Sequence, residues 1–200
     1  FKENHNFQIP NGSSWNDIRE TSLNVGAKLS DAMRKIEKAN PYTLGGIFGD
    51  ASWTNKNRLS DETLIDLIEH FSKFKLNLSN VPDDQLGNGY EFLIKKFADD
   101  SGHTAAEFYT NRTVVKLMTM IMNPQPGESV YDPTCGSGSL LLRVAKEVKD
   151  VSAFYGQELN RTTYNLARMN MILHDIHYKK FDIKQDDTLK NPLHIDKQFE

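Results

Sequence analysis

Apolar residues in the first half of the chain recur at helical spacing, and in the second half short β-forming runs alternate with helices. Residues 1–13 are polar and hold the turn signal Pro10-Asn11-Gly12, which predicts a loose lead-in. From Trp15 the positions Ile18, Leu23, Val25, Leu29, Met33 and Ile36 predict one helix through Ala39, opened by Ser13 or Ser14. Asn40-Pro41 stops it, because a residue before proline avoids the αR region. Pro41 to Asn57, with Gly45-Gly46 and Gly49-Asp50, reads as an irregular connection. Ser60-Asp61-Glu62 opens a second helix with Leu64, Ile65, Leu67, Ile68 and Phe71 inward. A third runs from Asp83 or Asp84 to Asp99, with Leu86, Tyr90, Leu93, Ile94 and Phe97 on one face.

Nothing before residue 100 alternates as a strand does, so residues 14 to about 99 are expected to pack as a separate, all-helical lobe. Asp99-Asp100-Ser101-Gly102-His103 is a polar, glycine-bearing break. It places the junction between a helical domain of residues 1–103 and an α/β domain of residues 104–200. Thr110 to Met122 reads as a helix with Val114, Val115, Leu117, Met118 and Ile121, ended by Asn123-Pro124-Gln125-Pro126-Gly127. Strands are then expected at Val130-Tyr131, Ala153–Gln157 and Phe181–Lys184, with helices at Ser139–Lys149 and Asn160–His174. Such alternation implies a parallel sheet with crossover helices.

An apolar content of 38% is enough for a buried core in 200 residues. A net charge of −3 argues against a self-sufficient nucleic-acid binder, so phosphate contacts would come from a partner or from further sequence. The single cysteine excludes an intramolecular disulfide and fits a reducing compartment. No apolar run reaches membrane-spanning length and no basic-then-apolar leader is present, so a cytoplasmic protein without a membrane partner is expected. The chain starts at Phe1 instead of Met, which suggests trimming.

The candidate chemistry starts at Glu128–Leu142, where a strand ends on Asp132 and the chain turns through Pro133, Gly136 and Gly138 into an apolar helix. Glycines admit a ligand to the backbone, and helix-start N–H groups face it. The third position of a dinucleotide glycine motif falls on Leu141, which disfavours a dinucleotide. Glu158 follows Gly138 by twenty residues, the spacing at which nucleotide folds set an acid on ribose hydroxyls. Its plainer role is to cap the helix starting near Asn160. Asp132 either orients the loop or forms a simple Asx turn.

The run Asp132-Pro133-Thr134-Cys135-Gly136-Ser137-Gly138, the preceding Glu107-Phe108-Tyr109-Thr110 and the upstream Asp84-Gln85-Leu86-Gly87-Asn88-Gly89-Tyr90-Glu91 resemble the methylation subunit of type I restriction-modification systems. The resemblance extends from about Trp15 to the C-terminus. It implies a Rossmann-like, S-adenosylmethionine-dependent methyltransferase domain, here partial, behind an all-α domain, and the chemistry of an adenine-N6 DNA methyltransferase. It also implies double-stranded DNA as substrate and three partners: a specificity subunit, a second methylation subunit, and a restriction subunit that can join them. For the cofactor it implies Asp132, Gly136, Ser137, Gly138 and Ser139 in the loop, and Glu158 on the ribose. The segment Glu107, Phe108, Tyr109, Thr110, Asn111 and Arg112 would close over the methionine end, with Asn111 where the family carries proline. Asp132 could also approach the methionine moiety. Asp187 would accept from the cofactor's adenine amine, with Asp186 the alternative, although adjacent acids after a strand also form ordinary turns.

His174 and His177 have no further ligands in the sequence around them, so no metal is expected, and Cys135 lacks a neighbouring His or Cys for thiol chemistry. Asn/Asp-Pro-Pro-aromatic, which accepts from the substrate amine and stacks on the flipped base, is not found. Asn191-Pro192-Leu193-His194 lacks the second proline and the ring. No residue is therefore assigned to catalysis, and this chain by itself is expected to bind cofactor without methylating. The missing strands are expected to leave an exposed sheet edge, which favours aggregation or a very poorly ordered third strand. Two rivals remain: a methyltransferase of the same fold acting on RNA or protein, and a non-catalytic assembly module.

Overall fold

The computed structural model describes residues 7–76, 80–81, 85–100 and 110–199. Contacts divide the described residues into two units, one within residues 6–81 and one within residues 82–200.

The first unit is helical. α1 (Trp15–Arg19) is capped by Ser14, whose hydroxyl accepts the Asp17 N–H while Asp17 accepts the Ser14 N–H at 2.8 Å. The single helix expected to Ala39 is broken, since Asn24 adopts a left-handed φ of 54° and α2 (Val25–Ala39) starts afresh. The break is held from a distance: the Asp61 carboxylate accepts the N–H groups of Asn24 and Val25, each at 3.0 Å. After Asn40 the chain makes one more helical turn, α3 (Pro41–Leu44), because proline is well suited to a first helical position. α4 (Asp61–Ser72) is capped by Ser60. Ile18, Val25, Ala32, Leu64 and Ile68 form the core of this unit. Leu67 and Phe71, expected inward, are exposed.

The second unit opens with α5 (Gln85–Asp100) and α6 (Arg112–Met122). The junction expected near His103 lies outside the described residues, as do Asp83 and Asp84. α5 packs on a helix of its own unit, so the helices up to residue 99 do not form one lobe. Gly87 is the reason: a Cβ there would stand 2.5 Å from the buried imidazole of His174, and only glycine lets the two helices close. Of the expected α5 face, Ile94 is buried and Leu93 and Phe97 are exposed. On α6, Val115 and Thr119 are buried, and Val114, Leu117, Met118 and Ile121 are exposed.

Strand and helix then alternate: β1 (Ser129–Asp132), α7 (Ser139–Glu147), β2 (Ala153–Glu158), α8 (Arg161–Leu173), one 3₁₀ turn at Tyr178–Lys180, and β3 (Phe181–Gln185). The sheet is parallel, in the order β1-β2-β3. Its core joins Val130, Phe154 and Ile183 to Leu141, Leu142 and Val144 of α7 and Ala167 and Met171 of α8. β3 pairs with β2 over Phe181–Gln185 and, among the described residues, with no strand on its other side, so it is an open edge of the sheet. The edge strand on the other side is β1. Among the described residues no helix is long and apolar enough to cross a membrane.

Candidate functional site

Register brings the carboxyl ends of the strands to one edge: Asp132 lies level with Gly156, and Glu158 with Gln185. Open parallel sheets bind ligands at that edge. The loop after β1 turns at Gly136 (φ +55°) and Gly138 (φ +81°), where a side chain would be strained. It is held from several directions. Asp132 Oδ1 accepts the Thr134 N–H at 3.0 Å, and Asn170 Nδ2 donates to the Ser137 carbonyl at 3.0 Å. The Cys135 N–H donates to the Gln157 carbonyl, and the Gly136 N–H to Glu158 Oε2, both at 3.0 Å. Gly156 lets the loop lie against β2, since a Cβ there would sit 3.0 Å from Cys135 Sγ. A Cβ on Gly136 would enter open space, with no atom within 4 Å.

Glu158 also accepts the Asn160 N–H at 2.8 Å, so it caps the approach to α8 and braces the glycine loop at once. Burial pushes the Asp132 carboxyl above the usual carboxylate range; the Thr134 N–H works against this and the charge of Glu158 adds to it. Burial likewise pushes the Cys135 thiol up, helped by Asp132 and Glu158, which leaves it a poor nucleophile. Asp187 behaves oppositely: desolvation raises its pKa but is outweighed by the N–H groups of Lys190 and Leu189 and by the Lys190 ammonium, so the carboxyl is held low.

A cleft of about 180 Å³ opens over the loop, lined by Thr110, Asp132, Thr134, Gly136, Ser137 and Ser139, with Val115 and Met118 of α6 as its apolar wall. Five of the residues expected at the cofactor thus meet in one place, and Gly138 and Glu158 adjoin them through the loop. Glu107, Phe108 and Tyr109 lie outside the described residues. Asn111 caps α6, its side chain accepting the Thr113 N–H at 2.8 Å. Arg112 turns towards α5, pairing with Glu91 at 3.2 Å, and lines a smaller cavity of about 90 Å³ with Arg143 and Lys146.

Asp187 is not among the residues lining the larger cleft. Its Oδ1 accepts the N–H groups of Leu189 and Lys190, at 3.0 and 3.2 Å, in a turn that Thr188 ties to the loop through the Pro133 carbonyl at 2.5 Å. Asp186 accepts the Asp187 N–H and the Asn191 side-chain amide, each at 2.7 Å. Asn191 therefore serves that turn.

His174 is buried with Glu91 at 4.0 Å, and His177 caps the 3₁₀ turn. Among the described residues no group of three or more His, Cys, Asp or Glu is placed to hold a metal. Sequence reasoning missed Gln157, which is wholly buried. Its one signal was an amide following the apolar run Ala153–Tyr155 within the strand Ala153–Glu158.

A parallel sheet with a glycine loop after its first strand and an acid at the tip of its second defines a Rossmann-like domain, here preceded by a helical one. The chain belongs to the N-6 DNA methylase family: that family matches residues 81–200, and the HsdM N-terminal domain matches residues 1–71. It is 46% identical over 193 residues to the type I restriction enzyme MpnII methylase subunit of Mycoplasma pneumoniae, across 86% of this chain and 36% of that protein. It is 30% identical over 217 residues to the HindI methylase subunit of Haemophilus influenzae, across 96% of this chain and 48% of that protein. The crystal structure of the type I restriction-modification methyltransferase subunit from Streptococcus thermophilus aligns with a TM-score of 0.80 at 30% identity, over 96% of this chain and 43% of that one. The chain spans less than half the length of each of these three proteins.

Proposed function

We propose that this chain is part of the modification subunit of a type I restriction-modification system, and that residues 82–200 bind S-adenosylmethionine for methyl transfer to adenine N6 in double-stranded DNA. The observation that carries the reading is the join between Glu158 and the Gly136 amide, which sets an acid beside a glycine loop whose outer side is open. These residues fit the cofactor. Glu158 accepts from the ribose hydroxyls, and the open side of Gly136 admits the nucleoside close to the backbone. Asp132 sets its buried charge near the cationic sulfonium, in addition to holding Thr134. Thr110 lines the cleft at the methionine end, and the rest of its segment, Glu107, Phe108, Tyr109, Asn111 and Arg112, would close over that end once Arg112 leaves Glu91. Asp187, with Asp186 the alternative, receives the adenine amine. When bound, the cofactor supplies an electrophilic methyl group.

The residues that accept from the substrate adenine and stack on it are not among these 200, and none here is given a catalytic role. The likeness to type I methylase subunits supports a specificity subunit, a second methylation subunit and a restriction subunit as partners, and the net charge of −3 leaves much of the phosphate contact to the specificity subunit or to further sequence. Calorimetry with S-adenosylhomocysteine and transfer of labelled methyl groups test the proposal. The chain should bind the ligand and transfer nothing by itself. A longer polypeptide containing it, with an Asn-Pro-Pro-aromatic motif and a specificity subunit, should methylate DNA. Absence of binding would favour an assembly module, and transfer to RNA or protein in place of DNA would move the substrate class.

A further inference from the structure

Gln157, inside β2, joins the loop after β1 to the segment after β3. Its carbonyl accepts the Cys135 N–H at 3.0 Å, and its neighbour Glu158 ends β2. Its side chain, 0% exposed, reaches the segment after β3. There Nε2 donates to the carbonyls of Asn191 at 2.9 Å and Asp186 at 3.3 Å, while Oε1 accepts the Leu193 N–H at 2.9 Å. Two donors and one acceptor on a single short arm are what a carboxamide offers. A carboxylate would face two carbonyl oxygens, and an apolar side chain of similar size would leave three part-buried main-chain groups without these partners. Two lesser ties act beside it: His194 Nε2 lies 3.1 Å from the Gly156 carbonyl, and Thr188 binds the Pro133 carbonyl.

We infer that Gln157 is the positioning residue for the nucleoside end of the site: it holds the Asp186-Asp187 turn at a set distance from the glycine loop, so that an acid of the turn meets the exocyclic amine of the cofactor's adenine. The inference rests on the proposed function and adds to it the device that gives the site its preference for an amino-purine. Gln157 touches no ligand itself and acts through the turn.

The test compares affinities for S-adenosylhomocysteine and for its analogue lacking the 6-amino group, measured by calorimetry on the polypeptide that carries this chain. The unaltered protein should favour the amino ligand about tenfold or more, the scale of a hydrogen bond to a charged group. In Gln157→Glu and in Gln157→Asn, which keeps the amide but is one methylene shorter, the ratio should fall to about one while thermal unfolding stays cooperative. Equal loss of both ligands, or an unchanged ratio, would overturn the inference and leave Gln157 an amide of the core. A measurement on the unaltered protein stands beside the variants in case they do not fold. Hydrogen exchange at the Leu193 amide should slow more with S-adenosylhomocysteine than with the analogue, and equal slowing would overturn the inference. An unaltered protein that binds neither ligand overturns the proposed function, and the inference with it. One that binds with Gln157 irrelevant to the ratio overturns the inference alone.

Discussion

Glu158 Oε2 accepts the Gly136 amide at 3.0 Å, joining the tip of β2 to the loop after β1 across 22 residues of sequence. The other carboxylate oxygen accepts the Asn160 N–H, so one side chain braces the loop and turns the chain into α8. Replacing it should remove the ribose acceptor and loosen the glycine loop together. Glu158→Ala is expected to weaken S-adenosylhomocysteine binding by roughly 1–3 kcal/mol, the scale of a lost charged hydrogen-bond partner. Calorimetry measures it, and an unchanged affinity would remove Glu158 from the site.

The two loop glycines should separate strain from ligand contact. Both have positive φ, so alanine at either costs about 1–2 kcal/mol of stability. The Cβ at Gly138 would meet Ala167 at 3.7 Å, an ordinary contact, whereas that at Gly136 projects into open space. Gly136→Ala should therefore lower ligand affinity well beyond Gly138→Ala at a similar loss of melting temperature. Parallel losses of affinity in the two variants would show that the space over Gly136 is not where the ligand lies.

Asp132 predicts a pH dependence with a definite sign. Its carboxyl titrates above the usual range in the folded protein, mainly through burial, so the folded state holds that proton more tightly than the unfolded chain does. Its contribution to stability therefore declines as pH rises from the ordinary carboxylate range through the raised value, and is level above it. Asp132→Asn keeps an acceptor for the Thr134 N–H and abolishes the titration. Urea unfolding at a series of pH values should show the variant gaining on the wild type through that window. A constant difference would mean that Asp132 titrates normally.

Gly87→Ala should strike the docking of α5. The added methyl meets a buried imidazole at 2.5 Å, and overpacking of this kind costs typically 1–3 kcal/mol. Thermal unfolding should show the loss, and amides of α5 should exchange faster than those of α2. Protection of α5 equal to that in the wild type would show that the helix does not depend on its contact with α8.

Local chemistry made much of this protein legible. Glycines at positive φ, a strand ending on Asp132 and the β/α rhythm after residue 128 are written in neighbouring residues, so the strands and helices of the α/β unit could be read to within one or two positions. The acid at Glu158 was readable because its distance from the glycine loop along the chain follows from one β-α-β step. What lay beyond sequence was decided by contacts between remote residues. The break at Asn24 depends on Asp61, and the allegiance of α5 depends on Gly87 meeting His174. The role of Gln157 depends on main-chain groups of residues 186–193. Periodicity marks which positions share a face, but it cannot say what lies opposite. Leu67, Phe71 and Leu93 accordingly fit helical patterns and still stand exposed. Hydrogen bonds and packing act through space, and only folding brings those partners within their few ångströms of reach.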